Sequence, residues 1–138
     1  MTPEQIKASL EFLKRNMKGT KPRVLVVEDD ADDEYLLVRQ LAQFNVEVVV
    51  ARTAEEAQRL MSENGISIVF LDLKLPLVPG IEVIKQNLGL DPKTSFVAVT
   101  GTRDLAAVDE ALREGAALVL QKPITSDTLA KIFETKVT

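Results

Sequence analysis

The chain has 138 residues, 46% of them hydrophobic and 28% charged, a composition typical of one globular domain with its own core. It contains no Cys and no His, which excludes disulfides, thiolate nucleophiles, His-ligated zinc and a phosphocarrier His within this sequence. Its formal net charge of −4 argues against a generally basic surface that binds nucleic acid. A polar start and apolar runs too short for a bilayer predict a cytoplasmic protein that does not contact membranes.

An amphipathic helix is predicted over residues 3–17, followed by a short linker. Its apolar side chains fall on one stripe at helical spacing, formed by Ile6, Leu10, Leu13 and Met17. Gly19 and Pro22 then break the pattern, so residues 1–22 are interpreted as a helix and linker that precede a separate domain at 23–138. The stripe could pack back on that domain or contact a second copy or another partner, and the sequence leaves both interpretations open.

From residue 23 onward, short apolar strands alternate with amphipathic helices. The predicted strands are residues 24–27, 46–51, 66–71, 96–100 and 117–121. The predicted helices between and after them are residues 32–43, 54–63, 80–87, 104–114 and 126–133. This strict alternation predicts an α/β domain with a mostly parallel sheet and helices on both faces.

Polar side chains follow or end four of the predicted strands. They are Glu28, Asp29 and Asp30 after the first strand, Asp72 after the third, Thr100 at the end of the fourth and Lys122 after the fifth. Because the carboxyl ends of parallel strands meet at one edge of a sheet, these residues should converge there. The acidic run after the first strand could instead cap the helix that follows it. Asp32, Asp33 and Glu34 are interpreted as the solvated first turn of that helix, with no role in the site.

The residues at this edge suit phosphoryl transfer. Several carboxylates in one place repel one another unless a cation neutralises them, and carboxylate and carbonyl oxygens are the ligands that Mg²⁺ prefers. Lys122 could oppose the charge of a bound anion, and the hydroxyl of Thr100 could donate to one of its oxygens. With these groups around a carboxylate nucleophile, the predicted reaction is transfer of a phosphoryl group to Asp72.

Four sequence motifs resemble those of a known protein family. VLVVEDD, LDLKLPLVPG, VAVTGT and VLQKP stand in this order and spacing within residues 23–134. Together they resemble the response-regulator receiver domains of two-component signalling. The resemblance implies a flavodoxin-like, doubly wound sheet of five parallel strands in the order 2-1-3-4-5, with helices on both faces. The amino-terminal helix is an addition to that fold.

The resemblance also implies which residues hold the metal and accept the phosphoryl group. By position, Asp29 would bind Mg²⁺ directly and Glu28 would act through water. Asp72 would be the phospho-acceptor and a further metal ligand. Lys74 would offer its backbone carbonyl to the metal.

The remaining family positions are those that contact the phosphoryl oxygens and the one that usually carries an aromatic ring. Thr100 and Lys122 would contact the phosphoryl oxygens, and the peptide between Lys122 and Pro123 would be cis. One position departs from the family pattern, because receiver domains usually carry Tyr or Phe three residues before the lysine and this chain has Val119. Core packing is the interpretation favoured for Val119. The departure removes the ring whose burial usually accompanies movement of the threonine.

The predicted function is a single-domain response regulator that acts as a Mg²⁺-dependent switch rather than a turnover enzyme, although it assists its own phosphorylation and dephosphorylation. Because the chain has no His, the phosphoryl group would come in trans from a histidine kinase or a histidine phosphotransfer protein. Output would pass to a downstream protein target through protein–protein contacts, without direct binding to nucleic acid. Formation of a homodimer is left open.

Three alternatives are weighed against this function. A receiver-like interaction module that works without phosphorylation is favoured by Val119 and opposed by the intact acidic and basic residues. The receiver portion of a truncated DNA-binding regulator would have the same sequence features. A phosphohydrolase that passes through an aspartyl-phosphate is opposed by Leu73 and Lys74, since no second carboxylate stands two residues after Asp72.

Overall fold

The computed structural model describes residues 1–17, 21–63, 65–75, 77–87, 94–101 and 105–133. In chain order its elements are α1 (Pro3–Met17), β1 (Arg23–Val27), α2 (Ala31–Leu41), β2 (Glu47–Ala51), α3 (Ala54–Glu63), β3 (Ile68–Asp72), α4 (Gly80–Asn87), β4 (Ser95–Thr100), α5 (Leu105–Arg113), β5 (Leu118–Gln121) and α6 (Ser126–Ile132). Every predicted element is present, and its ends differ from the prediction by two residues at most. Residue 104, the predicted start of one helix, and linker residues 18–20 lie outside the described residues. None of the helices in the described part of the chain is both long and apolar enough to span a membrane.

The described strands form one parallel sheet in the order β2-β1-β3-β4-β5, which confirms the predicted flavodoxin-like topology. The register sets Val27 of β1 beside Leu71 of β3, so the next residues along, Glu28 and Asp72, lie at the same level. Asp72 itself is paired with Val99 of β4. The register therefore brings the carboxyl ends of the three central strands to one edge.

The sheet separates two hydrophobic layers. On one face its side chains pack against α1, α2 and α6, and the buried members include Val26, Phe70 and Leu129. On the other face they pack against α3, α4 and α5, with Leu25 and Ile84 among the buried members. Burying one such side chain contributes about 1.5–3 kcal/mol, whereas an exposed ion pair contributes about 0–1 kcal/mol. These layers, rather than surface charges, therefore stabilise the fold and fix the strands.

The amino-terminal helix α1 packs back on the sheet. Leu13 is 1% exposed and Met17 is 8% exposed, and both belong to the layer formed with α2 and α6. Leu10 is partly buried against the same layer. Ile6, at the amino-terminal end of the stripe, is 38% exposed. The structure therefore favours packing on the same chain for most of the stripe, whereas the domain division after residue 22 stays a prediction.

Replacing Leu13 by Ala should destabilise the whole domain, because the change removes a side chain from the layer shared with the sheet. We expect the free energy of unfolding to fall by about 2–4 kcal/mol, measured by urea denaturation followed by far-UV circular dichroism. Phe12→Ala is the matched control, since the neighbouring Phe12 is 44% exposed and its loss should cost about 1 kcal/mol or less. Equal effects of the two variants would contradict the packing of α1 on the sheet.

Candidate functional site

Two carboxylates are buried where the central strands end. Glu28 follows β1 directly and Asp72 is the last residue of β3, and each is 5% exposed. Charged side chains are rarely this buried unless they are paired or bind a cation. Their position follows from the sheet, because both strands run between two helical layers and end at the same edge.

Asp29 adds a third carboxylate, and the three residues are called the carboxylate cluster below. One oxygen from each of Glu28, Asp29 and Asp72 lies within 4.8 Å of the other two, and Asp29 is exposed. The next residue, Asp30, caps α2, since its side chain accepts a hydrogen bond from the backbone N–H of Asp33 at 2.9 Å. The capping interpretation is thus confirmed for Asp30, while Glu28 and Asp29 join the cluster.

Lys122 supplies a positive charge at the carboxylate cluster. Its Nζ lies 2.8 Å from Glu28 Oε2 and 3.3 Å from Asp72 Oδ2. The residue follows β5, and its backbone N–H donates to the carbonyl of Thr100 at 2.8 Å. Pairing between β4 and β5 therefore sets where the lysine enters the site. The peptide between Lys122 and Pro123 is cis, as the resemblance implies.

Asp33 also contacts the site, and its interpretation as a solvated residue with no role there is wrong. Asp33 Oδ2 lies 2.8 Å from Lys122 Nζ, whereas Asp32, one residue earlier in α2, is exposed. Helix side chains tilt toward the amino terminus, so an acidic residue in this first turn could reach the sheet edge. Which of three consecutive acidic residues does so depends on the rotation of the helix, which packing sets and sequence spacing does not.

The loop after Asp72 closes tightly against it. The backbone N–H of Lys74 donates to Asp72 Oδ1 at 2.9 Å, and the backbone N–H of Gly80 donates to the carbonyl of Leu73 at 3.0 Å. A Cβ at position 80 would collide with the carbonyl oxygen of Asp72 and would lie 2.8 Å from the Cα of Leu73. Gly80 therefore permits a close approach that other residues would prevent. The side chain of Lys74 is exposed, and its role as a carbonyl ligand stays a prediction.

Thr100 and Val119 are the other two positions that the sequence singled out. Thr100 ends β4, is 2% exposed and is paired with Gln121 of β5, so it stands at the same edge as the carboxylate cluster. Val119 is partly buried against the layer formed with α3, α4 and α5, which confirms the core interpretation. The contacts of Thr100 and Lys122 with a phosphoryl group stay predictions.

A cavity of about 310 Å³ opens beside the carboxylate cluster. Its charged lining comes from Glu28, Asp33 and Lys122, and its apolar lining includes Leu37 and Val99. This volume is ample for a phosphoryl group. An anion that enters the cavity would meet the ammonium group of Lys122 next to two carboxylates.

The carboxylate cluster holds more negative charge than Lys122 can neutralise. Burial, together with a hydrogen bond to Asp72, raises the pKa of Glu28 from 4.5 to about 7, although the hydrogen bond from Lys122 acts in the opposite direction. Burial alone would lower the pKa of Lys122, but its hydrogen bonds to Asp33 and Glu28 and the charge of Asp72 raise that pKa above its ordinary value. The lysine therefore stays charged, and the carboxylates are short of positive charge.

The donor set fits a hard divalent cation. Three carboxylates offer oxygens within 4.8 Å of one another, and burial raises the pKa of Glu28, so a cation beside Glu28 would offset the cost of its charge. Mg²⁺ prefers such oxygen ligands and usually keeps several waters, for which the exposed side of Asp29 leaves room. The arrangement can therefore hold a cation and an anion next to Asp72 at the same time.

Comparison with known sequences gives a family match over most of the chain. The model for the response regulator receiver domain matches residues 24–134. The chain is 28% identical over 110 residues to the C4-dicarboxylate transport transcriptional regulatory protein DctD of Rhizobium meliloti (strain 1021), a match that covers 80% of this chain and 24% of that protein. Across the first three curated relatives, the match spans 24% to 43% of their length. The matched segment thus spans less than half the length of each of these relatives.

Solved structures of similar proteins share the fold. The receiver domain of Saccharomyces cerevisiae Ssk1, crystallised with the histidine phosphotransfer signaling protein Ypd1, is 27% identical with a TM-score of 0.73, over 80% of this chain and 84% of that one. A response regulator protein from Burkholderia pseudomallei is 26% identical with a TM-score of 0.75, over 81% of this chain and 66% of that one. The latter structure contains a phosphorylated aspartic acid, a calcium ion and citrate.

Glu28→Gln should stabilise the metal-free protein at pH 8, because it removes a buried carboxylate whose charge the site disfavours. The folded-state pKa of about 7 lies above the ordinary value of 4.5, so the protonated carboxyl adds stability below pH 4.5 that is lost as the pH rises through 7. We expect the variant to be more stable than the unmodified chain by about 1 kcal/mol at pH 8 and to lose this advantage near pH 5. Thermal unfolding in EDTA measures the stability difference at pH 8 and at pH 5. A lower unfolding midpoint for the variant than for the unmodified chain at pH 8 would contradict the raised pKa of Glu28.

Gly80→Ala should disturb the loop after Asp72, because the added Cβ meets backbone atoms of Asp72 and Leu73. We expect the free energy of unfolding to fall by about 1–3 kcal/mol, measured by chemical denaturation. Gly65→Ala is the control, since a Cβ there has no heavy atom within 4 Å among the described residues outside its chain neighbours. If both variants were as stable as the unmodified chain, the close approach at position 80 would be wrong.

Proposed function

The chain belongs to the response regulator receiver domain family, and on this premise we propose that it is a Mg²⁺-dependent phosphorylation switch whose acceptor is Asp72. One observation carries the proposal. The buried carboxylate of Asp72 is within 4.8 Å of oxygens from Glu28 and Asp29 and 3.3 Å from the Nζ of Lys122. A carboxylate with both a cation site and a fixed ammonium group beside it can accept a phosphoryl group, since both stabilise charge on the phosphoryl oxygens.

In the proposed reaction, a carboxylate oxygen of Asp72 forms a bond to phosphorus while the phosphorus–nitrogen bond of a phosphohistidine donor breaks. The imidazole nitrogen keeps the bonding electron pair and takes up a proton from solvent. The N–H of Lys74, 2.9 Å from Asp72 Oδ1, orients the carboxylate. Lys122 and the hydroxyl of Thr100 would donate hydrogen bonds to the phosphoryl oxygens, which lowers the cost of placing that charge at the sheet edge.

The carboxylate cluster would hold the Mg²⁺. Asp29 and Asp72 are the proposed direct ligands, together with the backbone carbonyl of Lys74, and Glu28 would act through water. The bound ion supplies positive charge to the carboxylates and to the transferred phosphoryl oxygens. The raised pKa of Glu28 supports this assignment, because burial and the hydrogen bond with Asp72 disfavour its negative charge and a nearby cation would offset that cost. The Burkholderia pseudomallei regulator, with its calcium ion and phosphorylated aspartic acid, supports a divalent cation at this kind of site.

A phosphohistidine outside this sequence is the proposed phosphodonor, since the sequence contains no His. A histidine kinase or a histidine phosphotransfer protein would carry it. The similarity to the receiver domain of Ssk1, which was crystallised with Ypd1, supports such a partner. After transfer, the added charge would shift a two-state equilibrium in the surrounding loops toward a form that contacts a downstream protein. The proposed role is therefore that of a switch in the cytoplasm, and hydrolysis of the aspartyl-phosphate resets it.

A second candidate is that this sequence is the receiver portion of a longer transcriptional regulator. The observation in its favour is that the match covers 24% of DctD, a transcriptional regulatory protein. A single-domain regulator would signal through protein contacts alone, whereas a longer one would carry its own output domain. Sequencing the gene on both sides of this segment distinguishes the two candidates.

Incubating the protein with Mg²⁺ and phosphoramidate should add one phosphoryl group, which intact-mass spectrometry detects. The adduct should need Mg²⁺, so EDTA should abolish it, and Asp72→Asn should abolish it because the nucleophile is lost. Asp109→Asn is the matched control, since Asp109 is an exposed residue of α5 and its loss should leave the adduct unchanged.

The same assay separates the alternatives. No adduct under conditions that modify another receiver domain would contradict the switch and favour an interaction module that works without phosphorylation. Multiple turnover of a small phosphoester would favour a phosphohydrolase instead.

A further inference from the structure

Lys122 is held as closely by Asp33 as by any member of the carboxylate cluster. Its Nζ lies 2.8 Å from Asp33 Oδ2, 2.8 Å from Glu28 Oε2 and 3.3 Å from Asp72 Oδ2. Asp72 is therefore the most distant of these three partners. Without a phosphoryl group, the lysine is therefore directed mainly toward Asp33 and Glu28.

Asp33 differs from the other partners of Lys122 in its exposure. Its side chain is 42% exposed, compared with 6% for Glu28 and 7% for Asp72. Water can solvate Asp33 if the lysine leaves it, whereas a buried carboxylate that lost the lysine would stay without compensation. The backbone of Asp33 is held separately, since its N–H donates to Asp30 Oδ1 at 2.9 Å. Release of the lysine therefore needs a change in the Asp33 side chain and not in the helix.

A phosphoryl group on Asp72 would compete with Asp33 for the same ammonium group. Lys122 has three N–H donors and faces three carboxylates in the structure. A contact with a phosphoryl oxygen needs one of these donors, and Asp33 is the partner that costs least to give up. Asp33 and Lys122 line the same cavity, so repulsion between the Asp33 carboxylate and a phosphoryl group that contacts Lys122 acts in the same direction.

We propose that Asp33 is a positioning residue that holds Lys122 in the unphosphorylated form and thereby weakens the affinity of the site for a phosphoryl group. The inference rests on the proposed function of Asp72 and adds a means of regulating the same site. Phosphorylation exchanges the Asp33–Lys122 contact for a contact between Lys122 and a phosphoryl oxygen. A neutral residue at position 33 removes the competitor and favours the occupied site.

Trifluoroberyllate, an anion with the shape of a phosphoryl group, tests this exchange at equilibrium. The full chain with saturating Mg²⁺ and excess fluoride is titrated with beryllium, and amide chemical shifts report binding. Asp33→Asn should bind trifluoroberyllate roughly fivefold more tightly than the unmodified chain, the factor that corresponds to losing one partly exposed ion pair. The backbone hydrogen bond from residue 33 to Asp30 is kept in this variant, so the start of α2 should not change.

Asp32→Asn is the matched control, because it removes the same charge from the same helical turn at an exposed position. Its affinity should change by about twofold or less, since solvent and salt screen a charge that makes no contact with the lysine. Asp33→Glu, which restores a carboxylate, should return the affinity to that of the unmodified chain. Asp33→Asn binding no more tightly than Asp32→Asn would overturn the inference.

Mg²⁺ affinity without beryllium distinguishes competition for the lysine from a general change of the site. Loss of a negative charge cannot favour a cation, so Asp33→Asn should not bind Mg²⁺ more tightly. Tighter binding of both Mg²⁺ and trifluoroberyllate would indicate a rearranged site and would overturn the inference. If the unmodified chain formed no Mg²⁺-dependent adduct, the proposed function of Asp72 would itself be wrong. If the adduct formed with equal affinity in the unmodified chain and in all variants, only the role of Asp33 would be wrong.

Discussion

The contact of one ammonium group with several carboxylates at the sheet edge is the interaction on which the rest of the site depends. Lys122 lies within 3.3 Å of Glu28, Asp33 and Asp72. One positive charge that faces three negative charges leaves a deficit, which a protein can relieve by binding a proton or a metal cation. Burial and the hydrogen bond with Asp72 raise the pKa of Glu28, so the site disfavours its negative charge. The two binding steps of the proposed switch follow from this contact. The carboxylate cluster would bind a cation, and the ammonium group of Lys122 would bind the anionic phosphoryl group.

The proposed acceptor, Asp72, and the neighbouring carboxylates of Asp29 and Asp33 are held by different means. Asp72 ends a strand that is buried throughout, and its loop is fixed by the close approach of Gly80. Asp29 and Asp33 stand at the rim, where their side chains reach water. A fixed nucleophile keeps the geometry needed for transfer, while exposed neighbours can change partners at small cost. This difference in burial suits a site with the two proposed roles of reaction centre and switch.

The amino-terminal helix, outside the residues that match the family, supports the elements that frame the site. Leu13 and Met17 of α1 belong to the same hydrophobic layer as α2 and α6. Asp33 lies in the first turn of α2, and α6 follows Lys122 and Pro123 along the chain. The apolar stripe of α1 could be predicted from its spacing, but its destination could not, because periodicity identifies an apolar face and not the surface that covers it.

Much of the fold could be predicted because alternating apolar strands and amphipathic helices allow few topologies. The same rule placed Glu28, Asp72, Thr100 and Lys122 at one edge, since parallel strands share their carboxyl ends. Asp33 escaped prediction because three acidic residues in a row give no sign of which one faces the sheet. An ion pair requires oxygen and nitrogen within about 4 Å, and the rotation of α2 over the sheet decides that distance. The sequence by itself determined which residues could meet, and tertiary packing alone decided which acidic residue of α2 contacts the lysine.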